Sequence, residues 1–266
     1  RAFFQQTGIA REQLHLLANP VESSQALDPP ARAEVQQIRN TLNAQRLFLA
    51  PVRAVRRKNF GEILLWAALA REGDVCATTL GPTNQDYLAP YLRWTAFARS
   101  HKLPVHFGVA EHYPHWRFEA LMQSADAILT TSIAEGFRLA FLEPWLFGKA
   151  IVGRNLPPIS ADFVAHGIDL SALYNAIGIP AEWLDLPTLR SELHAGLQQA
   201  YAAYATPLPA DSVERALAAI QLPNGQIDFA GLNESQQQAV ISRLVQDADA
   251  RQQISASLSD AMAGPA

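Results

Sequence analysis

The sequence is poor in the features that mark several common classes of protein. It has one cysteine, Cys76, among 266 residues, which excludes a disulfide framework and a zinc site built from cysteines. Its longest nearly apolar run, residues 63–70, is far too short to cross a bilayer. A net charge of -4 and the lack of basic stripes argue against a nucleic-acid binder. The glycine patterns of nicotinamide or flavin enzymes and of P-loop NTPases are missing as well.

What is present is an alternation of short apolar strands with helices. Strands are predicted at 47–52, 74–80, 105–109, 127–130 and 150–152, and helices at 60–70, 85–100, 116–124 and 139–147. Such alternation is typical of a parallel sheet covered by helices on both faces. The sequence therefore predicts a doubly wound, Rossmann-like α/β domain.

The regions around this domain differ from it in composition. The chain starts at Arg1 without a signal or transit pattern, so we expect a piece of a longer protein with a cytoplasmic location. We predict that residues 1–44 are an interdomain segment from a truncated N-terminal domain. Residues 45–167 would form the α/β domain. Residues 168–266, rich in Ala, Gln and Leu, would form a helical C-terminal extension.

A basic segment follows the first predicted strand. Residues 53–62 carry four cations within six positions: Arg53, Arg56, Arg57 and Lys58. Cations at the start of a helix are unfavourable against the helix dipole, and a bound anion would offset them. Because ligands bind at the carboxyl ends of parallel strands, this segment is a candidate diphosphate site. Taken alone, it is equally compatible with a solvated basic turn.

A second polar segment, residues 131–144, follows the strand predicted at 127–130. Gly136 permits a tight turn, and Pro144 is tolerated only in the first turn of a helix, so we expect a helix to begin near Leu139 or Ala140. The free backbone N–H groups at that helix start can hold phosphate oxygens.

Two carboxylates belong to this second segment. Glu135 precedes the predicted helix and Glu143 lies in its first turn. Carboxylates accept the paired hydrogen bonds that ribose and sugar hydroxyls offer. A single glutamate near a helix start usually complements the helix dipole. Two of them, flanking a glycine turn beside a basic loop, favour a ligand site.

Four features in order along the chain carry a family resemblance. They are Arg53 followed five positions later by Lys58, the triplet Glu135-Gly136-Phe137, Glu143 eight positions after Glu135, and Gly148-Lys149 before a strand. Over about residues 12–166 the chain resembles the C-terminal, donor-binding half of retaining glycosyltransferases of family four, which have the GT-B fold. The resemblance implies transfer of a hexose from a nucleotide-diphosphate sugar to an acceptor hydroxyl. It also implies that no metal or other cofactor is essential, and that a missing N-terminal domain supplies much of the acceptor site.

The resemblance implies roles for individual residues. Arg53 and Lys58 would bind the diphosphate and neutralise the leaving group, while Glu135 would contact hydroxyls of the transferred sugar. Glu143 would hold the ribose hydroxyls. The full donor-binding set it implies, including the turn near the base and the backbone at the phosphates, is Gly108, Val109, Gly136, Phe137, Arg138, Leu139 and Glu143.

The chain departs from the family pattern at three positions. Val52 and Asn59 stand where the family usually has glycine beside the first arginine and the lysine, and Arg138 replaces a glycine after Gly-Phe. Arg138 would either crowd the phosphate or add a further cation to it. The two other changes bear on the geometry of the basic loop.

Other interpretations remain open at this point. A sugar-nucleotide epimerase with GT-B architecture would need acid and base residues, of which only Glu135 is well placed. A non-catalytic nucleotide-binding module would not require both cations and both carboxylates together. Four histidines near the third predicted strand lack the spacing of a metal site, so we expect no metal there: His101, His106, His112 and His115.

Overall fold

The computed structural model describes residues 32–135 and 139–259. Its main sheet has six strands: β1 Arg46–Arg53, β2 Asp74–Leu80, β3 Val105–His106, β4 Ala127–Thr130, β5 Ala150–Arg154 and β6 Leu173–Tyr174. Their order across the sheet is β3-β2-β1-β4-β5-β6, and every neighbouring pair is parallel. This is the strand order of a doubly wound nucleotide-binding fold, so the predicted Rossmann-like α/β class is confirmed.

Helices pack on both faces of the sheet and continue beyond it. They are α1 Arg32–Thr41, α2 Phe60–Leu69, α3 Leu88–Ser100, α4 Val109–His112, α5 Phe118–Ser124, α6 Leu139–Leu146, α7 Pro157–Ala165, α8 Leu186–Ala203, α9 Ser212–Ile220, α10 Glu234–Gln246 and α11 Ala248–Ser257. A small antiparallel sheet pairs β7 Gly178–Ile179 with β8 Ile227–Asp228. Short 3-10 turns occupy 56–58, 85–87, 181–183 and 229–231.

The alternation of side chains along β1 explains the two main cores. Phe48 and Ala50 face one core, together with α2 and α10, while Leu47 and Leu49 face the other, together with α1 and α5. Successive residues of a strand point to opposite faces, so a strand buried on both faces needs an unbroken apolar run. This requirement explains the apolar run in the sequence of β1.

The C-terminal helices form a further layer over α2. All ten residues of α2 are buried, because α10 packs Val240, Ile241 and Leu244 into the same core on its outer side. The sheet also takes its last strand, β6, from beyond residue 167. The division into three parts at 44/45 and 167/168 stays a prediction about domain organisation.

Several predicted elements differ from the observed ones at their ends. The strand predicted at 105–109 ends at His106, because Gly108 has a left-handed φ of 62° and is the N-cap residue of α4. The helix predicted at 116–124 begins at Phe118. Pro144 lies in the interior of α6 instead of in its first turn, so the expectation for that proline is wrong.

Candidate functional site

The two candidate segments meet at the topological switch point of the sheet. β1 lies beside both β2 and β4, so the direction of strand order reverses between β1 and β4. In open parallel sheets the carboxyl ends of the strands around such a point form the ligand-binding crevice. Arg53 at the end of β1 and the loop after it carry the four cations, and the loop after β4 carries Glu135.

Hydrogen bonds fix these two loops to each other. The N–H of Ile133 donates to the carbonyl of Arg57 at 2.9 Å, and the buried hydroxyl of Thr131 donates to the carbonyl of Lys58 at 2.7 Å. The Arg57 guanidinium also donates to the carbonyl of Ala134 at 3.2 Å. Since these bonds involve backbone groups, the relative position of the loops does not depend on the charged side chains alone.

The centre of the site is an ion pair between Lys58 and Glu135. The Lys58 ammonium contacts one Glu135 oxygen, and their side chains are only 10% and 7% exposed. Arg57 Nη1 contacts the other carboxylate oxygen at 2.6 Å, and Ser132 Oγ donates to the first at 2.6 Å. Burial opposes the charged form of Glu135, but the hydrogen bonds from Lys58, Ser132 and Arg57 outweigh it and lower the pKa. Glu135 is therefore ionised at neutral pH.

Replacing Glu135 with Gln is expected to remove a pH-dependent part of the stability. A carboxylate whose folded pKa lies below its ordinary value of 4.5 stabilises fully above that value. The contribution is lost as the pH falls through the lowered folded pKa. We expect Glu135→Gln to cost roughly 1–2 kcal/mol at neutral pH, and the cost to shrink as the pH falls below 4.5.

Urea unfolding of both proteins across that pH range measures the difference. Glu182→Gln is the matched control, because Glu182 is an exposed glutamate in a short 3-10 turn. It should change little at any pH. A loss for Glu135→Gln that is equally large in acid would contradict the assigned ion pair.

Asn59 explains one departure from the family pattern. It adopts the left-handed conformation, with φ 48° and ψ 63°, between the 3-10 turn at 56–58 and α2. Glycine and asparagine are the residues that enter this region at low cost, so the asparagine keeps the turn that a glycine would allow. Its side chain adds two buried hydrogen bonds, donating to Glu62 at 2.8 Å and accepting from Gln237 at 3.1 Å.

The other cations of the basic loop lie at the same edge of the sheet. Arg53 ends β1 and donates to the carbonyl of Gly81, in the loop after β2, at 3.3 Å. Arg56 is exposed, and no hydrogen bond or ion pair holds its guanidinium within the described part of the chain. Arg53 and Arg56 therefore have no carboxylate partner among the described residues, in contrast to Arg57 and Lys58.

The second carboxylate has no bond to the ion pair. Glu143 is half-buried on α6, and burial raises the pKa of its carboxyl. In residues 32–135 and 139–259 no hydrogen bond or ion pair holds its oxygens. Of the other residues predicted after Glu135, Leu139 begins α6, while Gly136, Phe137 and Arg138 lie outside the described residues.

The predicted base-binding turn offers little free polar surface. The N–H of Gly108 already donates to the hydroxyl of Thr78 at 3.2 Å. The side chain of Val109 is buried in the core beneath α5. Contact between this turn and a nucleotide base stays a prediction, and it would have to use other backbone groups there.

Residues 32–135 and 139–259 contain neither a metal-ion site nor a membrane span. They hold no group of three or more His, Cys, Asp or Glu side chains that could bind a metal ion. None of their helices combines the length and the hydrophobicity that a membrane span needs.

Comparison with known proteins gives a weak likeness to solved structures that include two of Anabaena HepE. No family model and no curated protein matches the chain. Anabaena HepE in complex with UDP and glucose matches with a TM-score of 0.46 and 16% identity, over 97% of this chain and 60% of that one. HepE with UDP alone matches with a TM-score of 0.38 and 16% identity, over 86% and 53% of the two chains. A TM-score under 0.5 is too low to establish a common fold, and the chain spans 60% of the length of that structure at most.

Sequence reasoning missed the partners that hold Glu135. Arg57 reads as an extra, solvated cation in the sequence, yet it contacts Glu135 and Ala134. Ser132, three positions before Glu135, reads as an ordinary loop residue, yet it donates to the carboxylate. The spacing of a Ser or Thr three residues before a Glu is the only signal that the sequence offers for this second contact.

Proposed function

We propose that this chain is the donor-binding part of a retaining glycosyltransferase. It would bind a nucleotide-diphosphate sugar and take part in moving a hexose to an acceptor hydroxyl. The observation that carries the proposal is the contact of Lys58 with Glu135, which joins the basic loop and the acidic loop at the switch point of the sheet. The order of the motifs, from Arg53 to Lys149, supports the same assignment.

The charges at this point suit a diphosphate. Arg53 at the end of β1 and the loop after it carry four cations, two of which contact the ionised Glu135, so this segment keeps a positive surplus. Lysine has three donors, and Lys58 spends one on Glu135, which leaves it able to meet a phosphate oxygen as well. Fixed cations of this kind stabilise the leaving diphosphate most strongly as its charge develops.

The proposed reaction is the one that the resemblance implies. The bond between the sugar C1 and the diphosphate oxygen breaks, and the electron pair leaves with the diphosphate, where Arg53 and Lys58 hold it. The acceptor oxygen then bonds to C1 on the face that the leaving group vacates, so the configuration is retained. The acceptor's proton passes to the departing phosphate oxygen. Glu135, fixed by Arg57 and Ser132, would hold hydroxyls of the transferred sugar.

Thermal unfolding with UDP, GDP, ADP and their sugar conjugates tests the donor site. A ligand at about 100 times its Kd stabilises by about 2.7 kcal/mol, which raises the Tm of a chain of this size by roughly 5–10 °C. We expect such a rise with one nucleotide diphosphate on the wild type. The double variant Arg53→Ala with Lys58→Ala should lose it, because both proposed diphosphate contacts are gone.

The matched control removes one arginine and one lysine elsewhere. Arg99 and Lys102 are exposed near the end of α3, so Arg99→Ala with Lys102→Ala should keep the full nucleotide response. Glu135 keeps Arg57 and Ser132 when Lys58 is removed, which favours a folded double variant. Indifference of the wild type to every nucleotide, or an equal loss in the control, would overturn the proposal.

A further inference from the structure

A cavity of about 810 Å³ lies beside the proposed donor site. We name it the α8 cavity, because α8 supplies one wall with Leu189, Leu193 and Leu197. The other lining residues come from the start of α2, from α3, from the loops after β1 and β4, and from residues 230–237. Its volume is in the range of small-molecule sites, and most of its walls are aliphatic or aromatic.

The α8 cavity adjoins the ion pair through both loops of the switch point. Arg56 and Asn59, which flank Arg57 and Lys58 in the chain, line it. So does Ile133, whose N–H is bonded to Arg57 and which lies two residues before Glu135. Ile133, in the loop after β4, is 44% exposed, a large fraction for an isoleucine. An apolar group in the cavity would cover it.

The charges around the cavity select the kind of ligand. Asp86, Glu192 and Glu234 supply three carboxylates to its lining, against the single guanidinium of Arg56. Arg93 neutralises Glu234 at 2.6 Å, and the amide of Asn233 contacts Glu192. An anionic head would meet uncompensated negative charge there, whereas hydroxyl groups can donate to these carboxylates.

We propose that the α8 cavity binds the acceptor, and that the acceptor is a neutral amphiphile with an apolar body and a hydroxylated head. This inference rests on the proposed function, since it assigns to this chain a part of the acceptor site. The apolar body lies between α3 and α8 against Ile133, and a hydroxyl reaches toward Glu135.

Gly196 provides a clean way to fill the cavity. It lines the cavity from α8, its backbone is helical, and a Cβ added to it meets no atom within 4 Å. A phenylalanine there keeps the helical backbone, and its Cβ starts in open space at the cavity wall. Ala195 is the matched control, because it is exposed on the same helix and does not line the cavity.

Calorimetric titration with three probes tests the assignment. They are 4-nitrophenyl β-glucoside, a neutral aryl glycoside; glucose, the same head without the apolar body; and 4-nitrobenzoate, an apolar body with an anionic head. We expect the aryl glycoside to bind the wild type at least about tenfold more tightly than either other probe. Gly196→Phe should weaken it at least about tenfold, and Ala195→Phe should leave it unchanged.

UDP titration of the same proteins keeps the two proposals apart. Gly196→Phe should bind UDP as the wild type does, since it touches none of the proposed diphosphate contacts. Aryl-glycoside binding that survives Gly196→Phe, fails in Ala195→Phe as well, or is matched by free glucose or by 4-nitrobenzoate would overturn the cavity assignment. If the wild type binds the aryl glycoside but not UDP, the donor-site proposal is overturned and the cavity remains a ligand site. Thermal melts show whether both phenylalanine variants are folded. Ala200→Phe, on the same helix, is a second variant that fills the cavity.

Discussion

Replacing Arg154 with alanine is expected to lower the free energy of unfolding by about 3–5 kcal/mol. Arg154 ends β5, and its side chain is only 5% exposed beside the fully buried Glu62 of α2. Removing the guanidinium leaves the Glu62 carboxylate buried without its cation. That uncompensated charge is what makes the loss large, whatever the net contribution of the intact pair.

Every charged atom of this cluster has partners in the folded chain. Arg154 Nη2 lies 2.7 Å from Glu62, and its Nη1 lies 2.9 Å from Asp228. Tyr174 of β6 donates to Glu62 at 2.7 Å and accepts from the indole N–H of Trp66 at 2.9 Å. Burial disfavours the charged form of Arg154, but the two carboxylates outweigh it and raise the pKa, so the guanidinium stays charged.

Urea unfolding measures the loss, with Arg190→Ala as the control. Arg190 forms an ion pair with Glu214, but both side chains are exposed, so its removal should cost less than about 1 kcal/mol. Equal losses in the two variants would contradict the role given to burial. Because Asn59 also donates to Glu62, Arg154→Ala should weaken the nucleotide response of the site loop too.

The sequence predicts the sheet well where strands are long and buried on both faces. The residues of β1, β2 and β4 form apolar runs, and their predicted limits lie within one residue of the observed ones. It does not predict β6, which has only two residues, Leu173 and Tyr174. Tyr174 is held in the sheet by its hydroxyl, which hydrogen-bonds to Glu62 and Trp66 more than a hundred residues earlier. No local sequence pattern encodes such a contact.

The sequence likewise predicts only part of the candidate site. Residue types and strand ends place Lys58 and Glu135 at one edge of a sheet, and the structure brings them into contact across 77 positions. The partner roles of Arg57 and Ser132 depend on how two loops meet, which strand order alone leaves open. The α8 cavity is still less predictable, because its walls come from α3, α8 and residues 230–237, whose mutual packing follows from the tertiary fold.

Gly153→Ala is expected to destabilise the chain by roughly 3–5 kcal/mol, through two separate effects. Gly153 is the fourth of the five residues of β5 and has a φ of 115°, a conformation that residues with a Cβ rarely adopt. It is paired with Thr130 of β4, and a Cβ on it would lie 2.0 Å from the Thr130 carbonyl oxygen. Because the colliding carbonyl belongs to the backbone of β4, it cannot swing aside as a flexible side chain would, so the two strands must separate.

Gly148→Ala separates these two effects. Gly148 also has a positive φ, 63°, but a Cβ there meets no atom within 4 Å, so its substitution costs only the strained conformation, about 1–2 kcal/mol. Urea unfolding of both variants isolates the collision as the difference between them, and equal losses would contradict it. Thr130 is the last residue of β4, directly before the loop that carries Ser132 and Glu135. A displaced Thr130 therefore moves the acidic loop away from Lys58, and Gly153→Ala, unlike Gly148→Ala, should lose nucleotide stabilisation along with stability.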